Sequence, residues 1–477
     1  MMSNLESRIL DINSDHWGES VEDLMYNAGG ALYDVLSDRF PDKRILIVCG
    51  PGNNGGDGFA CAVRYKGTAD VALLVPDGIK TNAAKMHFDR LAAGPMMFSD
   101  VSLDNYDVVL DCVLGTGARS PLADVYKEYI KKIKKFKGTV VSADVPTGFG
   151  TEDALIPDIT VTFHDRKEGM NEKNCGTIIV ADIGIPEGAV RYIGPGDMLR
   201  YPIRKRDSHK GENGRLLIIG GGPYIGAPVM AAMAAQRVGI DLVHIATPIM
   251  SYTEIATMSP TFIMHKLSGD LLTEKDVKEL LELAKKVDAV LIGPGLGTDE
   301  GTMKAVREFI SECSVPVVAD ADGITAIASM KKIPGKVIIT PHHREFNRFF
   351  GSDFDGRFGE GEGYLDDARE SVLKNVSKER NVTVLLKGER DVIASAERIR
   401  YNYTGTSAMT VGGTGDVLAG AVAGLLSKNM DLFDAACLGA FICGLAGEDA
   451  FDEFYHGMIA TDVIGKIPKV LKKYLEG

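Results

Sequence analysis

Four stretches of the chain set acidic, amide or hydroxyl side chains among glycines at the ends of apolar runs. CGPGNNGGDG (49–58), DCVLGTG (111–117) and DVPTG (144–148) lie in the N-terminal half, and AMTVGGTGDVLAGAVAGLL (408–426) lies near the C-terminus. Glycines let backbone amides close around an anion, and a helix start behind them adds a favourable dipole. The run 49–58 has neither the P-loop spacing nor GxGxxG, so it reads either as a tight turn or as an anion cradle. Two further loops of the same kind tip the reading towards a ligand site, because loops after parallel strands gather at one sheet edge. Asn54, Asp111 and Thr147 carry oxygens of the kind a hard cation takes. Asp144 ends a buried strand, where it is either a helix cap or an acid/base group.

In GGTGD the amides of Gly413 to Gly415 can surround a phosphate oxygen, with Asp416 beside it. A carboxylate so placed takes the proton of a hydroxyl that attacks a phosphoryl group. An Asp in a helix's first turn is favourable on its own, but the flanking glycines favour catalysis. Lys387 ends a strand and either neutralises phosphate or faces solvent. His342 is either a ligand contact or an ordinary surface or core residue, and its neighbour His343 leaves open which of the two would serve.

A chain of 477 residues is long enough for two domains. Its 53 basic and 66 acidic residues leave a net charge of −13, which argues against a general nucleic-acid binder. Seven scattered cysteines without CxxC spacing fit reduced thiols in a cytoplasmic protein and no zinc site. The first residues lack the basic and apolar regions of a signal peptide. The longest apolar stretch, Val417–Leu426, is about half the ~20 residues a membrane helix needs.

Short apolar runs alternate with amphipathic segments throughout, which implies parallel sheets covered on both faces. Strands are expected at 44–50, 71–75, 107–111, 139–144, 158–163 and 177–183, with helical spacing over 21–36 and a helix from about 57. A polar, basic, glycine-containing seam at 194–214 precedes a second series. Its strands are expected at 215–221, 241–246, 288–293, 315–320, 336–341 and 382–388, and its helices at 226–238, 299–312, 362–380, 415–427 and 431–450.

The three N-terminal motifs together resemble the YjeF N-terminal family, the NAD(P)H-hydrate epimerases, over roughly residues 5–200. The resemblance implies a Rossmann-like three-layer α/β domain over 1–200. It implies that Asn53, Asn54, Gly55, Gly56 and Asp57 hold the hydrated nucleotide together with Gly115, Thr116, Gly117, Ala118, Arg119, Ser120 and Pro121. Asp144 would contact the substrate and be catalytic, and Asn54, Asp111 and Thr147 would ligate K+. The family usually has Ser where this chain has Thr147, and the hydroxyl is kept.

Downstream, HKGENGRLLIIGG (209–221), YIGAPVMAAMAAQRVG (224–239), IGPGLG (292–297), ADADG (319–323), TPHHREF (340–346), KGERD (387–391) and GGTGD follow one another in an order and spacing that resemble the ribokinase-like YjeF C-terminal family. Its members are ADP- or ATP-dependent NAD(P)H-hydrate dehydratases. The resemblance implies a ribokinase-like α/β domain over 205–477. The hydrate would lie against Ala227, Gly297, His342 and the catalytic Asp416, and the nucleotide on Lys387, Gly388, Glu389, Arg390, Asp391 and Gly415, with Mg2+ on its phosphates. Resemblance favours ADP over ATP. His343 and Arg344 replace the family's Pro-Gly, and Thr406-Ser407-Ala408-Met409 replaces Asn-Pro-Gly-Met, so these two loops depart locally.

The implied whole is a fused cytoplasmic repair enzyme acting on NADHX and NADPHX, expected as a homo-oligomer without nucleic-acid or membrane partners. The alternative is a ribokinase-type small-molecule alcohol kinase with a ligand-binding or scaffold N-terminal domain.

Overall fold

The computed structural model describes residues 1–75, 78–117, 120–350 and 367–476. Its contacts divide the chain into Met1–Val190 and Arg191–Gly477. Ile193 and Met198 are buried in the core of the second unit, so the stretch from Arg191 to the seam goes with that unit rather than with the first.

Among the described residues the first unit builds a seven-stranded sheet in the order β3-β2-β1-β4-β5-β6-β7. The strands are β1 (Ile45–Cys49), β2 (Asp70–Leu73), β3 (Met96–Met97), β4 (Val108–Cys112), β5 (Thr139–Ala143), β6 (Ile159–Phe163) and β7 (Thr177–Ala181), all parallel. Alternate residues serve two cores. Ile45, Ile47 and Cys49 pack with Leu32, Leu36 and Phe59 on one face, and Leu46 and Val48 pack with Tyr129, Ile130 and Ile133 on the other. That two-sided burial is why the strands read as unbroken apolar runs. Chain order reverses between β1 and β4, and the loops beyond their carboxyl ends leave a crevice there. The crevice is tight at its floor: a Cβ on Gly50 would stand 1.9 Å from the Val113 carbonyl oxygen, so only glycine fits.

The second unit carries a nine-stranded sheet among the described residues. Its strands are β8 (Arg215–Ile219), β9 (Leu242–Thr247), β10 (Phe262–Lys266), β11 (Ala289–Ile292), β12 (Val317–Ala319), β13 (Val337–Ile339), β14 (Thr383–Leu386), β15 (Asp391–Ala394) and β16 (Ile399–Asn402). The order is β10-β9-β8-β11-β12-β13-β14-β15-β16, parallel as far as β14 and antiparallel beyond it. Leu216 and Ile218 face the helix Thr414–Ser427 in one core, and Leu217 and Ile219 face the helix Glu300–Glu312 in the other. The seven cysteines are all unpaired, and six of them are buried.

Several elements differ from the sequence expectation. The helix expected from 57 begins at Asn53, so NNGGD forms its first turns rather than a loop. The helix expected over 362–380 spans Asp367–Arg380, and 362–366 lies outside the described residues. The helix Asn4–His16 and the strands β3, β10, β15 and β16 carried no clear signal. β3 has two residues, and β10 is a half-exposed edge strand without an apolar run.

Candidate active sites

A cavity of about 470 Å³ opens at the carboxyl edge of the first sheet. Of the residues expected there, Asn53, Asn54, Asp57, Gly115, Thr116, Gly117 and Asp144 line it. Gly55 and Gly56 turn inward, against the Gly50 backbone and Met25. Ser120 and Pro121, joined by a cis peptide, are not among the lining residues, and Ala118 and Arg119 lie outside the described residues.

Asp111 is not among the residues that line the cavity and is fully buried near the end of β4. Its oxygens accept hydrogen bonds from Tyr129 Oη (2.9 Å), Ser142 Oγ (2.9 Å), the Thr147 amide (2.9 Å) and Thr147 Oγ1 (2.6 Å). Burial raises its pKa, and these donors oppose the rise. Thr147 Oγ1 also accepts from the Leu114 amide at 3.1 Å, which ties two of the predicted loops together. Asn54 is 8% exposed, yet neither atom of its amide has a hydrogen-bond partner. An unpartnered buried amide is costly unless something binds it. Amide, carboxylate and hydroxyl oxygens are of the kind a hard cation takes, but of the three expected ligands only Asn54 is among the residues that line the cavity.

Asp144 follows β5 with φ at 60°, an uncommon backbone for a residue with a Cβ. Its Oδ1 meets Lys167 Nζ at 2.7 Å. Lys167 is nearly inaccessible, and its ammonium also donates to the Phe163 carbonyl (2.8 Å), the Asp165 carbonyl (3.3 Å) and Thr162 Oγ1 (3.3 Å). Burial and the nearby Asp144 charge push the Asp11 carboxyl up to about 6, against the pull of Lys167. Asp57 is raised well above the carboxylate range by burial, then by Asp144 and Asp11, again against Lys167.

The second site gathers at the carboxyl edge of the other sheet. Gly413 sits at φ 97° and turns the chain into the helix Thr414–Ser427, so a side chain there is strained. Lys387 directly follows β14, and a Cβ on Gly415 would lie 3.4 Å from its Nζ. The same ammonium contacts Asp320 Oδ1 at 3.1 Å, and Thr340 Oγ1 donates to that oxygen at 2.7 Å. Burial raises the Asp416 carboxyl to about 7, with Asp320 and Glu345 adding to the rise and Lys387 opposing it.

His342 pairs by a backbone bridge with Lys387. Its Nδ1 accepts from the amides of Arg344 (3.1 Å) and Glu345 (3.2 Å), so the ring caps the helix His343–Phe350. Gly297 follows β11, and its amide donates to Asp322 Oδ2 at 2.8 Å. Ala227 stands in the first turn of the helix Gly226–Arg237, after β8. Gly388, Glu389 and Arg390 form the exposed turn between β14 and β15. Asp391 starts β15 and is spent on that turn, accepting from the Gly388 amide (3.2 Å) and Asn402 Nδ2 (3.1 Å). Lys387, Gly415 and Asp416 thus come together, and Asp391 points into the fold.

Residues 216–469 match the NAD(P)H-hydrate dehydratase family, and residues 21–169 match the YjeF-related protein N-terminus. A bifunctional NAD(P)H-hydrate repair enzyme from Methanothermobacter thermautotrophicus is 38% identical over 99% of this chain and 95% of its own length. Its namesake from Archaeoglobus fulgidus is 36% identical over 98% of each chain. This chain belongs to the bifunctional NAD(P)H-hydrate repair enzyme family. Among solved structures, the ADP/ATP-dependent NAD(P)H-hydrate dehydratase of Bacillus subtilis, co-crystallised with ATP and Mg2+, superposes with a TM-score of 0.51 at 25% identity. That match covers 60% of this chain and 98% of the other.

Set against the family's motifs, the structure adds four charged groups. Lys167 and Asp11 enter the first site, and Asp320 and Glu345 surround Asp416 in the second. Lys167 lies four residues beyond β6 in HDRKEG, where nothing in the sequence sets it apart from the neighbouring Arg166. Asp320 and Glu345 stand inside the ADADG and TPHHREF motifs. Asp11 carried none, because one acidic residue on an amphipathic helix normally faces solvent.

Proposed function

We propose that the first unit interconverts the R and S hydrates of NADH and NADPH, and that the second dehydrates the S hydrate at the expense of ADP. The observation that carries this reading is the presence in one chain of a cavity around Asp144 and a phosphate-type helix start bearing Asp416. In the hydrated ring a hydroxyl sits on the carbon beside nitrogen. The nitrogen lone pair expels it, or opens the ring, once a carboxyl group manages the proton. Return of oxygen to the other face inverts the centre. We assign Asp144 that role, with Asn53–Asp57 and Gly115–Pro121 holding the nucleotide in place.

The second reaction must improve a poor leaving group. Phosphorylating the ring hydroxyl makes elimination easy and restores the conjugated dihydronicotinamide. Asp416 takes the hydroxyl proton as the oxygen attacks the nucleotide's terminal phosphoryl group. The amides of Gly413 to Gly415 and the Lys387 ammonium stabilise the charge that develops. Ala227, Gly297 and His342 hold the hydrate, and Lys387–Asp391 hold the nucleotide.

Magnesium enters with the nucleotide, and the carboxylates around Asp416 are oxygen donors of the type it takes. Potassium held by Asn54, Asp111 and Thr147 would set a positive charge against the buried Asp111 carboxyl. By resemblance the reading includes a cytoplasmic homo-oligomer. Among the described residues no helix is long and apolar enough to cross a membrane.

The test supplies mixed R and S NADHX. With ADP, the near-ultraviolet absorbance of the dihydronicotinamide recovers completely, because each unit draws on the other. Without ADP only the R/S ratio changes. A stable phosphorylated alcohol in place of NADH would support the kinase alternative instead.

A further inference from the structure

Helix Asn4–His16 precedes the family match of the first unit, which begins at residue 21, yet it forms a wall of the Asp144 cavity. Ser7, Arg8, Leu10 and Asp11 line that cavity, at the spacing of one helix face. The helix is tied to both sides of the site. Asn4 Nδ2 donates to the Thr116 carbonyl at 2.9 Å, within the predicted substrate loop. Met2, just before the helix, forms a backbone bridge with Lys167, donating to the Arg166 carbonyl at 2.8 Å and accepting from the Glu168 amide at 3.0 Å. The helix that carries Asp11 is therefore in register with the lysine that holds Asp144.

The bonds to Asp144 are one-sided. Lys167 Nζ meets Oδ1 at 2.7 Å, and Thr162 Oγ1 and the Phe163 amide also approach Oδ1, each at 3.5 Å. Oδ2 accepts no hydrogen bond among the described residues. The cavity also holds the unpartnered amide of Asn54, a separate sign that a ligand belongs there. We infer that Asp11 is a second catalytic residue of epimerisation, the proton donor opposite Asp144, and that Lys167 is the positioning residue that reserves Asp144 Oδ2 as the base. This rests on the epimerase reading of the same cavity.

The step balances. The Asp11 proton goes to the ring hydroxyl, the carbon–oxygen bond breaks, water leaves, and the nitrogen lone pair forms a carbon–nitrogen double bond. Water adds to the opposite face, the double bond returns its pair to nitrogen, and the water's proton goes to Asp144 Oδ2. One centre is inverted and one proton has crossed from Asp11 to Asp144. The reverse reaction, or exchange with solvent, returns it. The charged and titratable groups that line the cavity with Asp11 are Arg8 on its own helix, and Asp57, Lys80, Tyr126, Asp144, His164 and Lys167 from other elements.

The test uses the full chain with R-NADHX and no nucleotide, following the R/S ratio by chromatography. Asp11→Asn should lower kcat about 100-fold or more, with KM within about threefold. Its unfolding midpoint should not fall below that of the native protein, and above about pH 6 it should rise, because burial disfavours the Asp11 charge. Asp11→Glu should recover part of the rate. In the native protein kcat should fall as pH rises past about 6, where Asp11 gives up its proton, and that limb should vanish in Asp11→Asn. Lys167→Gln should lower kcat with little change in KM. An active native protein with an Asp11→Asn kcat within about threefold of it, or the same pH limb in both, overturns this inference alone. A native protein that never changes the R/S ratio overturns the epimerase reading and this inference with it.

Discussion

The two sites use the same materials and distribute them differently. Each has an aspartate at the carboxyl edge of a parallel sheet, a lysine beyond a strand of that sheet and further carboxyl groups nearby. In the first unit the lysine contacts the assigned acid/base residue itself, Lys167 to Asp144 at 2.7 Å. In the second the lysine contacts a neighbour, Lys387 to Asp320 at 3.1 Å, and Asp416 is pushed up to about 7. In each set the carboxyl groups that the lysine does not contact are the ones burial pushes up: Asp11 and Asp57 in the first, Asp416 in the second. For phosphoryl transfer, a base poised near neutrality suits a hydroxyl nucleophile. For epimerisation, a fixed carboxylate facing a second acid suits proton traffic across a ring.

The sharpest way to break this comparison is to remove each aspartate. Asp416→Asn should lower dehydration by about 10²–10⁴-fold and leave R/S interconversion intact. Asp144→Ala should do the reverse, measured on the same two assays. If either substitution abolished both activities, the two sites would not be the separate devices described.

Removing the second lysine should have a smaller effect. Lys387→Met takes a positive charge from beside Gly415 and should raise KM for the nucleotide about tenfold, near 1.4 kcal/mol. Because Lys387 holds the Asp416 pKa down, its loss should also move the rise of dehydration to higher pH. A nucleotide titration at several pH values reads both changes.

The next effect is on pH dependence and stability. Asp416 must be ionised to accept a proton, so dehydration should increase as pH rises through about 7. For stability the sign is opposite. Its folded pKa lies above the 3.8 of a free aspartate, so the native state holds a proton that the unfolded chain releases, and stability falls as pH climbs between those values. Asp416→Asn should therefore raise the unfolding midpoint by about 2 °C or more at pH 8 and by less at pH 4. Equal shifts at the two pH values would show that Asp416 is not strained by its charge.

The smallest effect concerns Thr147, whose hydroxyl bonds Asp111 and the Leu114 amide. Thr147→Ser keeps both bonds and should hold epimerisation within about threefold, whereas Thr147→Val should cost about 1–3 kcal/mol of stability by leaving buried partners unmet. A thermal melt of each variant checks it.

Much of the fold was legible because its strands are buried on both faces. RILIVCG, DVVLD and RLLIIGG are apolar without a break, and all became central strands. What escaped was the periphery, where a half-exposed edge strand such as FIMHK mixes polar and apolar residues. The glycine motifs were legible as strand-to-helix junctions, although NNGGD is already helical. Gly55 and Gly56 look like ligand-facing residues in the sequence, but packing takes them: the Gly50 backbone and Met25 fill the space a side chain would need. Lys167 and Asp11 were invisible as partners because Met2, Asn4 and Thr116 bring them together across more than a hundred residues of chain.

The unpaired thiols offer a use beyond catalysis. Cys49, Cys61 and Cys112 are buried in the first unit, and Cys437 and Cys443 in the second, and burial raises every one of their pKa values. Alkylating reagents need a reachable thiolate, so each of these sulfurs reacts only while its surroundings are open. Half-buried Cys313 should be modified first. The slower labelling that follows would clock the breathing of the two halves separately, with natural reporters and no engineered probe.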